Sequence, residues 1–291
     1  MKPPPFEYCV PDSLDGAVGL LRDVEEAKVI AGGQSLVPLM NMRLARPSRL
    51  VDVCRVPGLD RITVNGHLSI GATARQSAVL RSDEVREFAP LIPAALRHVG
   101  HPANRNRGTF GGSVAHADPA AELPTVLSAL GADLVATGPA GRRVIGADEF
   151  FTTYFSTALA EDEILTEVRV PRPSAPRTVW SFQEVARRLG DFAIVAVALC
   201  AELDDAGQVA SARICLAGVA DRPFRAEAAE QALIGRRIDD PETAREAGRA
   251  AAAAVEPGAD VHASAQYRRE AAGVLVTRAV NDGATRLEGR Q

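Results

Sequence analysis

Two short stretches, Ala31-Gly32-Gly33-Gln34-Ser35 and Thr109-Phe110-Gly111-Gly112-Ser113, share one pattern, a Gly-Gly pair flanked by polar side chains. Glycine has no Cβ and tolerates positive φ, so backbone N–H groups in such a turn can come close to an anionic oxygen. Successive N–H groups then form a concavity of the kind that takes a phosphate. A single Gly-Gly pair is more often an ordinary tight turn between two strands. Two of them suit a ligand with two phosphates, each held from one side. Neither has the three-glycine spacing of the dinucleotide fingerprint, which also needs an acidic residue about 20 positions on.

The second turn sits in a longer stretch, residues 101–124, that reads as a loop. It opens with Asn104, Arg105, Asn106 and Arg107 and closes with two carboxylates, Asp118 and Glu122. The two arginines suit either a solvated surface or charge beside a phosphate. His67, His98, His101, His116 and His262 form no metal-ligand or nucleophile pattern, although His101 and His116 flank the turn. Cys9, Cys54, Cys200 and Cys215 lack C-x-x-C spacing, which argues against a zinc or iron–sulfur site carried by this chain. No general acid or base stands out.

The elements that must position these turns can be read in order. Residues 6–10 form a short edge strand, Asp12 or Ser13 caps a helix ending near Asp23, and residues 28–31 form a strand leading into the first turn. A helical turn beyond Pro38 and a strand at residues 50–53 close a small α/β unit near residue 57. Asn65-Gly66 between alternating apolar residues marks a hairpin. A helical region from Thr73 or Ser77 to Phe88, and another over residues 91–99, lead to the second turn.

Beyond that turn come a helix at residues 123–130, strands at 133–137, 144–145 and 163–170, and an aromatic cluster at 150–155 better read as core than as ligand contact. The proline-rich run 171–176 is a linker. Strands at 179–185, 193–202 and 211–219 precede helices at 225–234, 242–255 and 265–280, with a polar, frayed tail from Asn281. Strands followed by helices, without strict βαβ alternation, give an α+β class. The domains are 1–57, 58–175 and 176–291.

The 291 residues carry a formal charge of −4, so a broad nucleic-acid footprint is not expected. The N-terminus lacks a signal peptide's apolar core, and no segment approaches the roughly 18–20 apolar residues of a membrane span. With cysteines expected to be reduced thiols, the setting is cytoplasmic.

The pair AGGQSLVPLMNMRLARP (31–47) and NRGTFGGSVAHADPAAELP (106–124) resembles the FAD-binding medium subunit of the molybdenum hydroxylases, the family of xanthine dehydrogenase and aerobic carbon monoxide dehydrogenase. DEILTEVRVPRP (162–173) and ARRLGDFAIVAVA (186–198) extend the likeness over essentially the whole chain. The resemblance implies a PCMH/VAO-type FAD-binding domain of two α/β subdomains, followed by a smaller C-terminal domain with an antiparallel sheet and helices. It also implies an FAD carried by this chain, with molybdopterin on a large partner subunit, two [2Fe-2S] clusters on a small one, and a dimer of heterotrimers. Carried over by position, Ala31, Gly32, Gly33, Gln34 and Ser35 together with Thr109, Phe110, Gly111, Gly112 and Ser113 grip the pyrophosphate. Asp118 and Glu122 are acidic positions near the cofactor, Ile164 and Leu165 lie by the flavin ring, and Phe192 stands where some relatives place tyrosine beside it.

Three positions depart from the family. Phe192 lacks the tyrosine hydroxyl, Ser113 replaces a common asparagine, and Gln34 stands where carbon monoxide dehydrogenases usually carry histidine, which counts against carbon monoxide as substrate. The implied role is electron transfer from the clusters to an external acceptor. A stand-alone flavin oxidoreductase and a scaffold that has lost FAD are the alternatives. If the turn grips phosphate, Gly111→Val should abolish FAD retention and Asp118→Ala should be milder.

Overall fold

The N-terminal unit of the computed structural model, which describes residues 2–288, is a parallel sheet of three strands backed by a helix. Its elements are β1 (Glu7–Cys9), α1 (Leu14–Arg22), β2 (Ala27–Ile30), α2 (Leu36–Asn41) and β3 (Arg49–Asp52), with strand order β1-β3-β2. The Ser13 hydroxyl accepts the Gly16 N–H and so starts α1. Ala17, Val18 and Leu21 then recur on one face and pack with Val51, Val53 and Val56 in a small core. Pro38 lies inside α2 rather than before it, where it removes only an N–H that the first turn of a helix leaves unpaired.

The second unit centres on a five-stranded antiparallel sheet of order β4-β5-β10-β6-β7. Its first hairpin, β4 (Ile62–Asn65) and β5 (His67–Gly71), turns at Gly66, whose φ is +73°. Helices α3 (Gln76–Arg81), α4 (Asp83–Phe88) and α5 (Leu91–Leu96) follow. The single helical region expected up to Phe88 is broken at Ser82, which turns to ψ 127° and caps α4 by accepting the Val85 N–H. It also starts at Gln76 rather than at Thr73 or Ser77.

Residues 101–124 are not a loop. They fold as α6 (Pro102–Arg107), α7 (Phe110–His116) and the start of α8 (Glu122–Ala129). The loop reading followed glycine and proline, but Pro102 takes a first-turn position in α6 and Thr109 caps α7 by accepting the Gly112 N–H, so both residue types begin helices here.

The sheet continues with β6 (Asp133–Gly138) and β7 (Gly141–Gly146), then α9 (Ala147–Phe150), the small hairpin β8 (Phe151–Thr153) and β9 (Ser156–Thr157), and β10 (Ile164–Pro171). Leu68, Ile70, Leu134, Ala136, Val168 and Val170 alternate onto one face and meet Phe110, Leu123, Val126 and Leu127 of the helical layer. Phe150 and Phe151 join this core edge-to-face at 5.1 Å, whereas Tyr154 and Phe155 are exposed.

The C-terminal domain is a four-stranded antiparallel sheet, β11 (Arg177–Val185), β12 (Val195–Leu203), β13 (Val209–Ala217) and β14 (Phe224–Arg225). Helices α10 (Glu227–Leu233), α11 (Pro241–Ala254) and α12 (Ala265–Glu288) cover one of its faces. Val195, Val197 and Leu199 point to those helices, while Phe182, Ala196, Ala198, Cys215 and Ala217 point into the core of the second unit. Both faces are thus buried, which explains the unbroken apolar run of β12. The tail from Asn281 is not frayed as far as Glu288. It extends α12, with the Ser181 hydroxyl donating to Asp282 at 2.7 Å and Arg286 lying over the Trp180 ring at 4.0 Å. Residues 289–291 lie outside the described residues.

Candidate functional site

The first Gly-Gly turn leaves β2 at Ile30 and enters α2 through Gly33, whose φ of +71° favours glycine. Among the described residues, no acceptor takes the N–H groups of Gly32, Gly33, Gln34 or Ser35. Four consecutive donors are therefore open on one turn, a concavity suited to an anion.

The second turn meets the first directly. A Cβ on Gly32 would fall 2.7 Å from Gly108 Cα and 3.0 Å from Thr109 N, and one on Gly112 would come within 3.7 Å of the Ala31 Cβ. Asn104 donates to the Gln34 side chain at 3.2 Å and ties α6 to the first turn. The two stretches, far apart in sequence, form one surface.

The Gly-Gly pair of α7 works differently from the one after β2. The Gly111 N–H already donates to Ala72 O at 2.9 Å, the Phe110 N–H to Ala74 O at 2.8 Å, and the Gly112 N–H to Thr109 Oγ1 at 3.1 Å. Neither Gly111 nor Gly112 has positive φ. Gly111 is glycine because a Cβ there would meet Ala72 Cβ at 2.5 Å. Thr109 is buried and its hydroxyl caps α7, so the turn offers the Ser113 hydroxyl more readily than backbone N–H groups. Phe110 points its ring into the core.

The two arginines divide. Arg105 donates to Val99 O at 2.7 Å and Gly100 O at 2.9 Å and so pins the entry to α6, while Arg107 is exposed. Gly190, at φ +85°, lies against Gly100 O and His101, which brings the loop carrying the 61 % exposed Phe192 to the same rim. Ile164 and Leu165 are successive residues of β10 and enter different cores, so they cannot both face one ring.

The acidic positions lie deeper. Asp118 Oδ1 accepts the Ala120 N–H at 2.9 Å, and burial raises its carboxyl above the ordinary range. Burial raises Glu122 further, to about 8, helped by the negative charge of Glu184. Burial lowers His116, which keeps it neutral. Among the described residues, no cluster of His, Cys, Asp and Glu could hold a metal ion, and no helix is long and apolar enough to cross a membrane.

Sequence reading missed Gly108, whose Cβ would strike the Gln76 side chain at 2.8 Å, and Arg75, which donates to Arg107 O and reaches Cys54 Sγ at 3.6 Å. It also missed Glu184. Only the family-like run around residues 106–124 pointed toward Gly108, and nothing in the local pattern marked the other two.

Residues 4–173 match the family described as FAD binding domain in molybdopterin dehydrogenase, and residues 180–282 match CO dehydrogenase flavoprotein C-terminal domain. The chain is 42% identical over 281 residues to the 6-hydroxypseudooxynicotine dehydrogenase complex subunit alpha of Paenarthrobacter nicotinovorans, covering 96% of this chain and 94% of that one. It is 37% identical over 283 residues to the carbon monoxide dehydrogenase medium chain of Hydrogenophaga pseudoflava, covering 97% and 98%. A solved structure of carbon monoxide dehydrogenase from Hydrogenophaga pseudoflava, lacking the Mo-pyranopterin moiety of the molybdenum cofactor, superposes with a TM-score of 0.94 at 39% identity, covering 98% of this chain and 99% of that one.

Proposed function

The chain belongs to the FAD-binding medium subunits of the molybdenum hydroxylases, and from that membership we propose that the rim formed by residues 31–35 and 107–113 holds the pyrophosphate of FAD. The observation that carries this reading is the row of open N–H groups from Gly32 to Ser35, set against a second segment that only a glycine at position 32 allows. The donor set fits the group, since it offers backbone N–H groups and hydroxyls to phosphate oxygens with no carboxylate on the rim itself.

The cofactor, when bound, supplies storage for two electrons. The chain's own residues bind and orient it. Gly32, Gly33, Gln34 and Ser35 donate from one side and the Ser113 hydroxyl from the other, while Thr109, buried, holds the start of α7 by its cap. Ala31 and Gly112 let the turns touch, while Phe110 and Gly111 fix α7 in the core beneath them. Leu165 lies in the core layer that also holds Phe110, and supports an apolar wall for the ring; Ile164 anchors the opposite face of β10. Phe192 closes the rim from the C-terminal domain. Asp118 and Glu122, both held toward the neutral form by burial, place carboxyl groups near the cofactor without adding full charge.

The chain is an oxidoreductase subunit that passes electrons from iron–sulfur clusters on one partner to an external acceptor, with substrate hydroxylation on a molybdopterin partner. We further propose a dimer of heterotrimers, a cytoplasmic setting, and division of the chain at about residues 57 and 175. The test is the absorption spectrum of the purified chain, with the cofactor released by acid and identified by chromatography. FAD near one per chain, without iron or molybdenum, is expected. No flavin, even after incubation with FAD and the partner subunits, would overturn the reading.

A further inference from the structure

Two segments meet beside the pyrophosphate rim and carry an excess of positive charge. Residues 88–117 contain no Asp or Glu and hold Arg97, Arg105 and Arg107, and the loop between β11 and β12 adds Arg187 and Arg188. Gly190 joins the two, since at φ +85° a Cβ there would lie 3.0 Å from both Gly100 O and the His101 ring. Arg105 is engaged in holding α6, while Arg97, Arg107, Arg187 and Arg188 are exposed. Among the described residues none of these four pairs with a carboxylate, whereas Arg49, Arg143 and Arg268 elsewhere pair with Glu7, Glu163 and Asp260.

The cofactor does not account for these arginines. The open N–H groups from Gly32 to Ser35 already answer a pyrophosphate, and the carboxylates nearest in sequence to the loop arginines are Asp191 and the buried Glu184, which His98 faces. In a chain of formal charge −4, four exposed cations around one mouth make a local field that draws an acidic partner. Beside them stand Leu189, 79% exposed, and Phe192, 61% exposed. Arginine and aromatic side chains are the groups that anchor protein interfaces, whereas a small anion would leave the leucine and phenylalanine unused. The high share of charge marks a transient contact, because permanent interfaces are more apolar.

We propose that Arg97, Arg107, Arg187 and Arg188, with Leu189 and Phe192, form the docking face for an acidic protein that takes electrons one at a time from the reduced cofactor. The docking face stands on the charge and its placement; its electron-transfer role rests on the FAD-binding reading. Two carriers each gain one electron for every cofactor oxidised, and the two protons of the reduced flavin pass to solvent. Steering by such a field raises the rate of encounter and weakens as salt screens it.

Cytochrome b5, an acidic one-electron haem protein, is the probe, and basic cytochrome c is its counterpart. Fluorescence anisotropy of each labelled probe, titrated with the FAD-free full chain at about 20 and about 300 mM salt, reads docking without the cofactor. Cytochrome b5 should bind about tenfold more weakly at the higher salt, and cytochrome c should not bind at either. Arg187→Glu with Arg188→Glu should weaken cytochrome b5 about tenfold at low salt, and Arg97→Glu on the other segment should weaken it too. Arg22→Glu with Arg278→Glu, equal in charge and exposed on α1 and α12, should leave it within about twofold. Far-UV circular dichroism confirms folding of each variant. No binding of cytochrome b5, or equal losses from the two double variants, overturns the docking face. So does loss of binding once the partner subunits are attached, which would place the arginines in a permanent interface.

Stopped-flow reoxidation of the photoreduced, FAD-loaded chain tests the electron-transfer role. Reduction of cytochrome b5 should slow about tenfold in the variant carrying Arg187→Glu and Arg188→Glu, and also in the wild type as salt rises, while reduction of neutral p-benzoquinone stays unchanged. Docking with electron transfer indifferent to the arginines overturns the electron-transfer role alone. Equal slowing with p-benzoquinone would show a damaged cofactor site and overturns that role likewise. Failure to bind FAD overturns the cofactor assignment, and the anisotropy result still decides the docking face.

Discussion

Gly32 and Gly108 touch backbone to backbone, and a Cβ on Gly32 would lie 2.7 Å from the Gly108 Cα. Neither partner can yield as a flexible side chain would, because both surfaces are main chain. Gly32→Ala should therefore part the two turns while leaving β2 and α7 formed. The expected result is a rise of ten- to a hundredfold in the dissociation constant for FAD, equivalent to about 1.4–2.7 kcal/mol. Titration of the apo chain with FAD checks it, and unchanged affinity would remove the contact between the turns from the binding site.

Gly111→Val belongs to a different class from the one the sequence implied. The Gly111 N–H is held by Ala72 O, and a side chain would be driven into Ala72 rather than into open space. The substitution should cost about 1–3 kcal/mol through overpacking of the α7–β5 junction, before any ligand is considered. Thermal melts of the FAD-free variant and wild type separate the two accounts. A normal melting temperature with lost FAD binding would restore the direct phosphate role.

Sequence alone was enough to find the two Gly-Gly stretches, their order and the strand that leads into the first, because glycine pairs and short apolar runs are local signals. It was not enough to distinguish one Gly-Gly pair from the other. Gly33 needs a positive φ, whereas Gly111 needs room beside Ala72, and that reason exists only once β5 and α7 are packed. The two helices α6 and α7 within residues 102–116 were hidden by Pro102, Gly111 and Gly112, which weaken helix propensity but sit in first turns, where the penalty is small. Glu184 was invisible for a similar reason. A glutamate in an alternating strand reads as solvent-facing until α5 packs on that strand.

The end of α12 makes a third prediction. Residues after Asn281 remain bound to β11 through the Ser181–Asp282 hydrogen bond and the stacking of Arg286 on Trp180. A hydrogen bond to a charged, part-buried group contributes about 1.5–3 kcal/mol, and an exposed cation–π contact about 0.5–1 kcal/mol. A chain ending at Asn281 should lose about 2–4 kcal/mol of stability by these two contacts, measured by urea unfolding. Asp282→Ala alone should reproduce the larger share. Equal stability of full and shortened chains would show that the last turns of α12 merely lie against the sheet.

Glu122 gives the chain a pH dependence whose sign is fixed. Its carboxyl rises from 4.5 in the unfolded chain to about 8 when folded, first through burial and then through the charge of Glu184. Between those values the folded state binds more protons than the unfolded one, so stability falls as pH rises, by at most about 1.4 kcal/mol per pH unit. The contribution is complete below pH 4.5 and gone above about pH 8. Asp118, also raised by burial, acts in the same direction, while His116, lowered from 6.5, acts oppositely below that pH. Comparing wild type with Glu122→Gln cancels most of both effects, since they occur in both chains. From pH 5 to pH 9 the wild type should lose about 4 kcal/mol of stability relative to the variant, because the amide cannot ionise. Urea unfolding at the two pH values checks this. Parallel stability profiles would mean that Glu122 ionises in the folded chain as it does in water.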